Sequence, residues 1–77
     1  MAIIETVEIL ERNSLVSLIK IKAGSKEALK KIYVMSGEEV ERTEDSIILR
    51  VMQNDSLLIN RRISLWWNQE EGTFVRQ

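Results

Sequence analysis

The chain contains neither cysteine nor histidine, and this absence limits its possible folds more than any other feature of the sequence. A domain of 77 residues buries only about 60% of the surface that its unfolded chain exposes, so its stability depends on its apolar core. The absence of both residue types excludes disulfides, zinc fingers, haem ligation, iron–sulfur clusters, thiol nucleophiles and Ser-His-Asp triads. Small domains without such cross-links often associate with themselves, and we therefore expect a homo-oligomer.

The sequence also indicates where the protein works. Residues 1–5 carry no positive charge and Glu5 interrupts the apolar run, so we expect no secretory signal. No segment approaches the roughly 18 apolar residues of a membrane span. With no proline, three glycines and no biased tract, the sequence predicts one domain over residues 1–77, located in the cytoplasm and without a membrane partner.

Charge alternates in blocks although the formal net charge is only −1. Residues 20–31 carry five lysines and one glutamate, and residues 50–62 carry three arginines and one aspartate. Between them, residues 38–45 carry five carboxylates and one arginine. The two basic blocks predict an anion-binding face, while the alternative interpretation is mixed charge that serves solubility alone.

The clearest local signal is a helix that begins after Ser25. Serine is a good N-cap, and Gly37 is typical of the residue beyond a helix end. Apolar residues recur between them at helical spacing, with charged residues on the opposite side. These apolar residues are Ala28, Leu29, Ile32 and Tyr33. The pattern predicts one sizeable helix from residue 26 to residue 33, with Tyr33 in the core.

The second half of the chain indicates strands, because β-forming residues alternate there. One apolar face is formed by Ile47, Leu49 and Val51. Another is formed by Leu57, Ile59, Ile63, Leu65 and Trp67, with Arg61 as its only polar member. A hairpin with an odd-length loop at residues 53–56 brings these two faces together, whereas a two-residue loop turns one of them over. Residues 68–72 predict a turn before an edge strand over residues 73–76.

The first 24 residues fit two interpretations. Ile3, Val7 and Leu10 fit a helix, while Ile3, Val7 and Ile9 fit a strand, which we favour. A turn at residues 13–14 then leads into a returning strand over residues 15–22. The predicted fold class is α+β: a small, mostly antiparallel β domain with one helix, in the order β-β-α-β-β-β.

Motifs for catalysis or cofactor binding are absent. The glycines are isolated, so there is no Walker loop and no dinucleotide fingerprint. The acidic run at residues 38–45 lacks the spacing and the glycine of a calcium loop, and we interpret it as solvated charge beside a strand. Paired-carboxylate hydrolysis requires a cleft that so small a domain rarely encloses. We therefore expect no enzyme activity, no catalytic residues, no metal site and no cofactor.

The remaining candidates are binding surfaces. Lys20 and Lys22 share one face of their strand, directly before a helix with three further lysines, so five ammonium groups are expected to gather at one end of the domain. Phosphate is the natural partner of such a cluster, which predicts a nucleic-acid ligand. The candidate nucleic-acid-binding residues are Arg12, Lys20, Lys22, Lys26, Lys30, Lys31, Arg50, Arg61 and Arg62.

Two adjacent tryptophans give a further candidate. Neighbouring residues of a strand point to opposite faces, so Trp67 is expected in the core and Trp66 on the other face with Arg62 and Ser64. A tryptophan beside an arginine on an open face can stack on a base or anchor a protein partner. Trp66 is therefore the candidate partner-binding residue, unless the helix or a second subunit covers it.

Residues 21–50 resemble the AbrB/MazE-like swapped-hairpin family of DNA-binding regulators and antitoxins. The similar stretches are Lys26-Glu-Ala-Leu-Lys30, Gly37-Glu-Glu-Val-Glu41 and Glu44-Asp-Ser-Ile-Ile-Leu-Arg50. The chain has Ile21-Lys22 where the family has Ile-Pro, and it lacks an Arg-x-Gly-Gln element at the expected spacing. The resemblance implies an intertwined dimer that binds DNA, with Arg12, Lys20, Lys22 and Lys26 at the nearest matching positions.

Residues 48–66 are similar to the second half of an Sm-like RNA-binding barrel, through a strand, a turn, a strand and Arg-Arg-Ile-Ser. The first half of that barrel requires strand at residues 26–35, against the helix signal. The leading hypothesis is a small nucleic-acid-binding protein, such as a dimeric transcription regulator or antitoxin. The alternative is a protein-interaction module, such as a small viral or mobile-element inhibitor or an accessory subunit, that binds through Trp66 and the edge strand.

Overall fold

The computed structural model describes residues 3–76, which form eight β-strands and one short helix. The elements are β1 (Ile4–Arg12), β2 (Val16–Ala23), α1 (Lys26–Lys30), β3 (Ile32–Val34), β4 (Glu38–Arg42), β5 (Ser46–Met52), β6 (Ser56–Ile59), β7 (Ile63–Asn68) and β8 (Thr73–Arg76). None of the described residues belongs to a helix long and apolar enough to cross a membrane.

The strands form two sheets of four, and every pairing is antiparallel. The first sheet has the order β1-β2-β5-β4, and the second has the order β3-β6-β7-β8. Alternate residues of the central strands point inward, and together with the helix they form one apolar core. The buried members are Ile19, Ile21, Ala23, Ala28, Leu29, Ile32, Ile47, Leu49, Val51, Leu57, Ile59 and Trp67.

The structure confirms a mostly antiparallel β domain with a single short helix, although the described residues form three more strands than the five predicted. The first segment is a strand, as favoured, and it pairs with the predicted returning strand. The edge strand at Thr73–Arg76 is also present. Ile47, Leu49 and Val51 all lie in the core, as their alternation indicates.

The helix begins where predicted but ends early. The Ser25 hydroxyl oxygen accepts a hydrogen bond from the Ala28 amide at 3.0 Å, which confirms the N-cap. The helix then stops at Lys30, and Ile32–Val34 form β3, which pairs with β6. β-Branched and aromatic side chains favour strand, so this pairing overrides the helical spacing. Gly37 is not the helix end but lies with φ of +84° just before β4.

The predicted hairpin between β5 and β6 is wrong. Three residues separate the two strands, but β5 pairs with β2 and β4 whereas β6 pairs with β3 and β7. Residues 53–55 form a corner that carries the chain from one sheet to the other. The Asp55 carboxylate accepts from the Met52 amide at 2.8 Å, and the Asp55 amide donates to the Met52 carbonyl at 3.0 Å. An odd-length corner still leaves Leu57 and Ile59 facing the core.

The single strand predicted from Leu57 to Trp67 is two strands joined by a tight turn. Asn60 and Arg61 have φ of 54° and 57°, and the Arg62 amide donates to the Ile59 carbonyl at 3.1 Å. The turn contains no glycine or proline, so the sequence lacks the usual signal for it. β6 and β7 form a hairpin, and Arg61 belongs to the turn rather than to a strand face.

The acidic run forms a strand that the sequence did not predict. Glu38–Arg42 is β4, at the edge of the first sheet beside β5. All of its residues are exposed, and the register shifts between Glu39 and Glu41. Charged side chains and a bulge are common devices that protect an edge strand from pairing with another molecule.

Candidate nucleic-acid interface

The five lysines predicted to gather at one end belong to two successive elements, β2 and α1 with its C-cap. Lys20 and Lys22 lie on the outer face of the first sheet. Lys20 is directly opposite Glu8, and Lys22 is opposite Thr6. Opposite charges on facing positions of neighbouring strands attract each other. The register therefore places an acidic residue beside Lys20 on this face.

Three other candidates already have partners within the chain. The Lys26 Nζ lies 3.3 Å from Glu44 Oε1, and an Arg50 Nη atom lies 2.7 Å from a Glu38 carboxylate oxygen. Arg12 donates to the backbone carbonyl of Gln69. The two ion pairs are exposed and contribute little to stability, but they reduce the charge available to a ligand.

Four of the predicted residues lie in two backbone segments that are hydrogen-bonded to each other, and we call Lys30, Lys31, Arg61 and Arg62 the cationic cluster. Lys31 is the C-cap of α1, and its carbonyl accepts a hydrogen bond of 2.7 Å from the amide of Asn60 in the β6–β7 turn. This bond joins two segments that are distant in sequence, each with two basic residues.

All four side chains of the cationic cluster are exposed. In the part of the chain that the structure describes, none of them forms an ion pair. Glu27, in the first turn of the helix, is the one acidic residue of this short helix. The helix and the turn therefore leave an excess of positive charge at this end of the second sheet.

An aromatic side chain adjoins the cluster. The Arg61 guanidinium carbon lies 4.9 Å from the centre of the Tyr33 ring, a cation–π contact. Tyr33 faces Leu58 across the β3–β6 pair, and Leu58 faces Ser64 across the β6–β7 pair. Tyr33 is thus half-buried on the outer face of the second sheet and not in the core. The run Ile32-Tyr33-Val34, typical of a strand, was the signal for this placement.

Trp66 lies on the same outer face. It is opposite Ser56 on one side and Val75 on the other, whereas Trp67 points into the core opposite Phe74, as predicted. The Trp66 side chain is half-buried, and its Nε1 is inaccessible and has no hydrogen-bond partner among the described residues. The helix packs against β2 and β3, whereas Trp66 lies on β7.

The first sheet carries two surface hollows. Two shallow depressions of about 220 and 310 Å³ both border Val16 and Arg50 on the first sheet. Both are open, so neither forms an enclosed cleft for a small substrate. Among residues 3–76, no three acidic side chains are arranged to hold a metal ion.

No protein-family model matches the chain, and neither the curated proteins nor the solved structures give a significant match. The likeness of short stretches to the AbrB/MazE-like and Sm-like families therefore remains a prediction.

Proposed function

We propose that the protein binds nucleic acid through the cationic cluster. The observation that carries this proposal is the hydrogen bond from Asn60 to Lys31, which holds two basic segments against each other. A polyanion with regularly spaced charges is the ligand that best matches several cations held close together.

The cluster combines two kinds of phosphate-binding side chain. Arginine presents a planar fork that binds phosphate in a bidentate manner, while lysine acts as a mobile point charge. Because no carboxylate of the described residues pairs with the four side chains, phosphate binding does not have to break an existing ion pair. The cluster is therefore a better phosphate site than Lys26 or Arg50, whose charges are already paired.

The test compares two double variants of equal charge. Lys31→Gln/Arg62→Gln removes two cations from the cluster, and Lys20→Gln/Lys22→Gln removes two from the outer face of the first sheet. Fluorescence anisotropy with labelled oligonucleotides measures affinity at low and at physiological salt. We expect the cluster variant to bind roughly tenfold or more weakly, because two counterion-releasing contacts are lost. The control variant should bind nearly as well as the native protein.

The proposal fails if the native protein binds no oligonucleotide even at low salt. It also fails if both double variants weaken binding equally, since that result would reflect total charge rather than a site. Poly-glutamate serves as a competitor of similar charge. If it displaces the oligonucleotide as well as unlabelled nucleic acid does, the cluster binds acidic protein segments instead.

A second candidate function is that of a protein-interaction module. One observation favours it: Trp66 is opposite Val75 of β8, and β8 is the outermost strand of its sheet. An extended partner segment can pair with such an edge while an adjacent apolar residue gives specificity. Binding of this kind should persist at high salt, whereas phosphate binding weakens steeply.

A further inference from the structure

We infer that the ligand is single-stranded and that its bases lie on the outer face of the second sheet, with its phosphates on the cationic cluster. This inference rests on the proposed function. It adds the class of nucleic acid and the surface that contacts the bases.

The helix is unsuited to reading a duplex. The major groove of DNA admits an α-helix or a two-stranded ribbon, whose side chains reach the base edges. The helix α1 has only five residues, and Ala28 and Leu29 are buried in the core. Only its charged side remains outside, which suits contact with phosphates. Bases that are already unpaired require no groove-reading element.

The outer face of the second sheet offers a surface for unpaired bases. Its register places Tyr33 beside Leu58, and Trp66 beside Val75, with Ser56 and Ser64 between them. Tyr33 and Trp66 are separated by two strand spacings and two residues along the strand, a distance of roughly 12 Å. The four larger side chains are half-buried, so each keeps part of its surface in solvent. Aromatic side chains on an open sheet are the usual platform for base stacking.

The exposed parts of the two aromatic residues favour stacking over hydrogen bonding. Since Trp66 Nε1 is inaccessible, the exposed part of the indole consists of carbon atoms. The Arg61 guanidinium lies over the Tyr33 ring and offers a second flat, cationic surface. Bases stack on guanidinium planes as well as on aromatic rings. Both positions therefore accept any base, which implies that the affinity depends little on the nucleotide sequence of the ligand.

The positive charge beside this face favours nucleic acid over an apolar protein segment as its ligand. Arg61 touches Tyr33 itself, and the rest of the cationic cluster follows in the same turn and in the helix end bonded to it. An apolar peptide would leave these four cations without counter-charges. A single strand supplies stacking bases and phosphates at the same time.

The test uses variants that keep the face apolar but remove its rings. Tyr33→Leu and Trp66→Leu are measured by anisotropy with a single strand of about ten nucleotides, within the range of known single-strand sites, and with a duplex of the same sequence. Leu18→Ala, a half-buried residue on the outer face of the first sheet, is the matched control. A melting curve of each variant checks that it is folded.

We expect the native protein to prefer the single strand. Each leucine variant should lose about 5- to 150-fold in single-strand affinity, the equivalent of about 1–3 kcal/mol per stacked base. Duplex binding, which uses phosphate contacts alone, should not change. Trp66 fluorescence should be quenched by the single strand, and this quenching should disappear in Trp66→Leu while buried Trp67 still reports the fold.

Each other outcome contradicts a defined part of the account. Equal or tighter binding of the duplex, or unchanged single-strand affinity in both folded leucine variants, overturns this inference and leaves the proposed function standing. Absence of binding to either oligonucleotide at low salt overturns the proposed function itself. Displacement of the oligonucleotide by poly-glutamate as effectively as by unlabelled nucleic acid overturns both and identifies an acidic protein segment as the ligand.

Discussion

At the scale of single residues, Gln69 links the two sheets. Its Oε1 accepts from the Ser17 hydroxyl at 2.9 Å and from Trp67 Nε1 at 2.6 Å, and its Nε2 donates to the Asn13 carbonyl at 3.1 Å. Ser17 is in the first sheet and Trp67 is in the second. Both are fully buried, so neither can exchange its hydrogen bond for one to water.

Replacing Gln69 should destabilise the protein strongly. Gln69→Leu keeps most of the volume but leaves a buried hydroxyl and a buried indole N–H unsatisfied. At about 1–3 kcal/mol for each of the two unsatisfied groups, we expect a loss of roughly 2–6 kcal/mol in the free energy of unfolding. Urea denaturation measures it, with Glu70→Leu, at an exposed neighbouring position, as the control. A loss below about 1 kcal/mol in the free energy of unfolding would mean that the hydrogen bonds of Gln69 contribute little to stability.

The sequence does not reveal this role. Residues 68–72 are polar and predict a turn, which indeed lies between β7 and β8. Nothing in that pattern shows that one of them is buried. The partners of Gln69 at Asn13 and Ser17 are more than fifty positions away, and only the packing of the two sheets brings them into reach.

At the scale of elements, local signals were predictable and long-range pairings were not. The start of α1 was found because Ser25 and Ala28 are close in sequence. Its end was missed because β3 is fixed by β6, more than twenty residues later. In the same way, the alternation of Ile47, Leu49 and Val51 identified a buried strand but not its neighbours. Its partners β2 and β4 depend on the arrangement of the whole sheet.

A substitution in the β6–β7 turn should lower the affinity for nucleic acid while leaving the stability of the protein nearly unchanged. Asn60 and Arg61 occupy the left-handed region, where glycine avoids the strain of a side chain. Arg61→Gly removes this strain but also a cation–π contact worth about 0.5–1 kcal/mol. We therefore expect its free energy of unfolding to stay within about 0.5 kcal/mol of the native value, while its affinity for nucleic acid falls.

Asn60→Gly is the control for that variant, because it also relieves backbone strain and keeps every cation. It should be at least as stable as the native protein and should bind nucleic acid equally well. Thermal melting and anisotropy give the two quantities. If both glycine variants bind as tightly as the native protein, Arg61 does not contact the ligand.

At the scale of the whole molecule, the distribution of charge over the folded protein differs from its distribution along the sequence. The sequence suggested one patch of lysines over residues 20–31, but strand pairing sets Lys20 opposite Glu8 and an ion pair joins Lys26 to Glu44. The cationic cluster combines two of the five lysines of that block with two arginines from the second basic block. The sequence named all four residues, yet only the fold shows that they belong together.

Self-association is a separate prediction for the whole molecule. A domain of this size without cross-links gains stability from oligomerisation, and we expect a dimer or a higher oligomer at micromolar concentration. Sedimentation velocity over a range of protein concentrations measures this directly. A monomer throughout that range contradicts the prediction and, with it, the intertwined dimer implied by the AbrB/MazE-like resemblance.

The most direct test of the account is the salt dependence of single-strand binding. If all four cations of the cluster contact phosphates, the slope of log affinity against log salt should be about −2.8, at −0.7 for each contact. Lys31→Gln/Arg62→Gln should reduce it to about −1.4, while Lys20→Gln/Lys22→Gln leaves it unchanged. A slope that is the same in all three proteins would contradict the account.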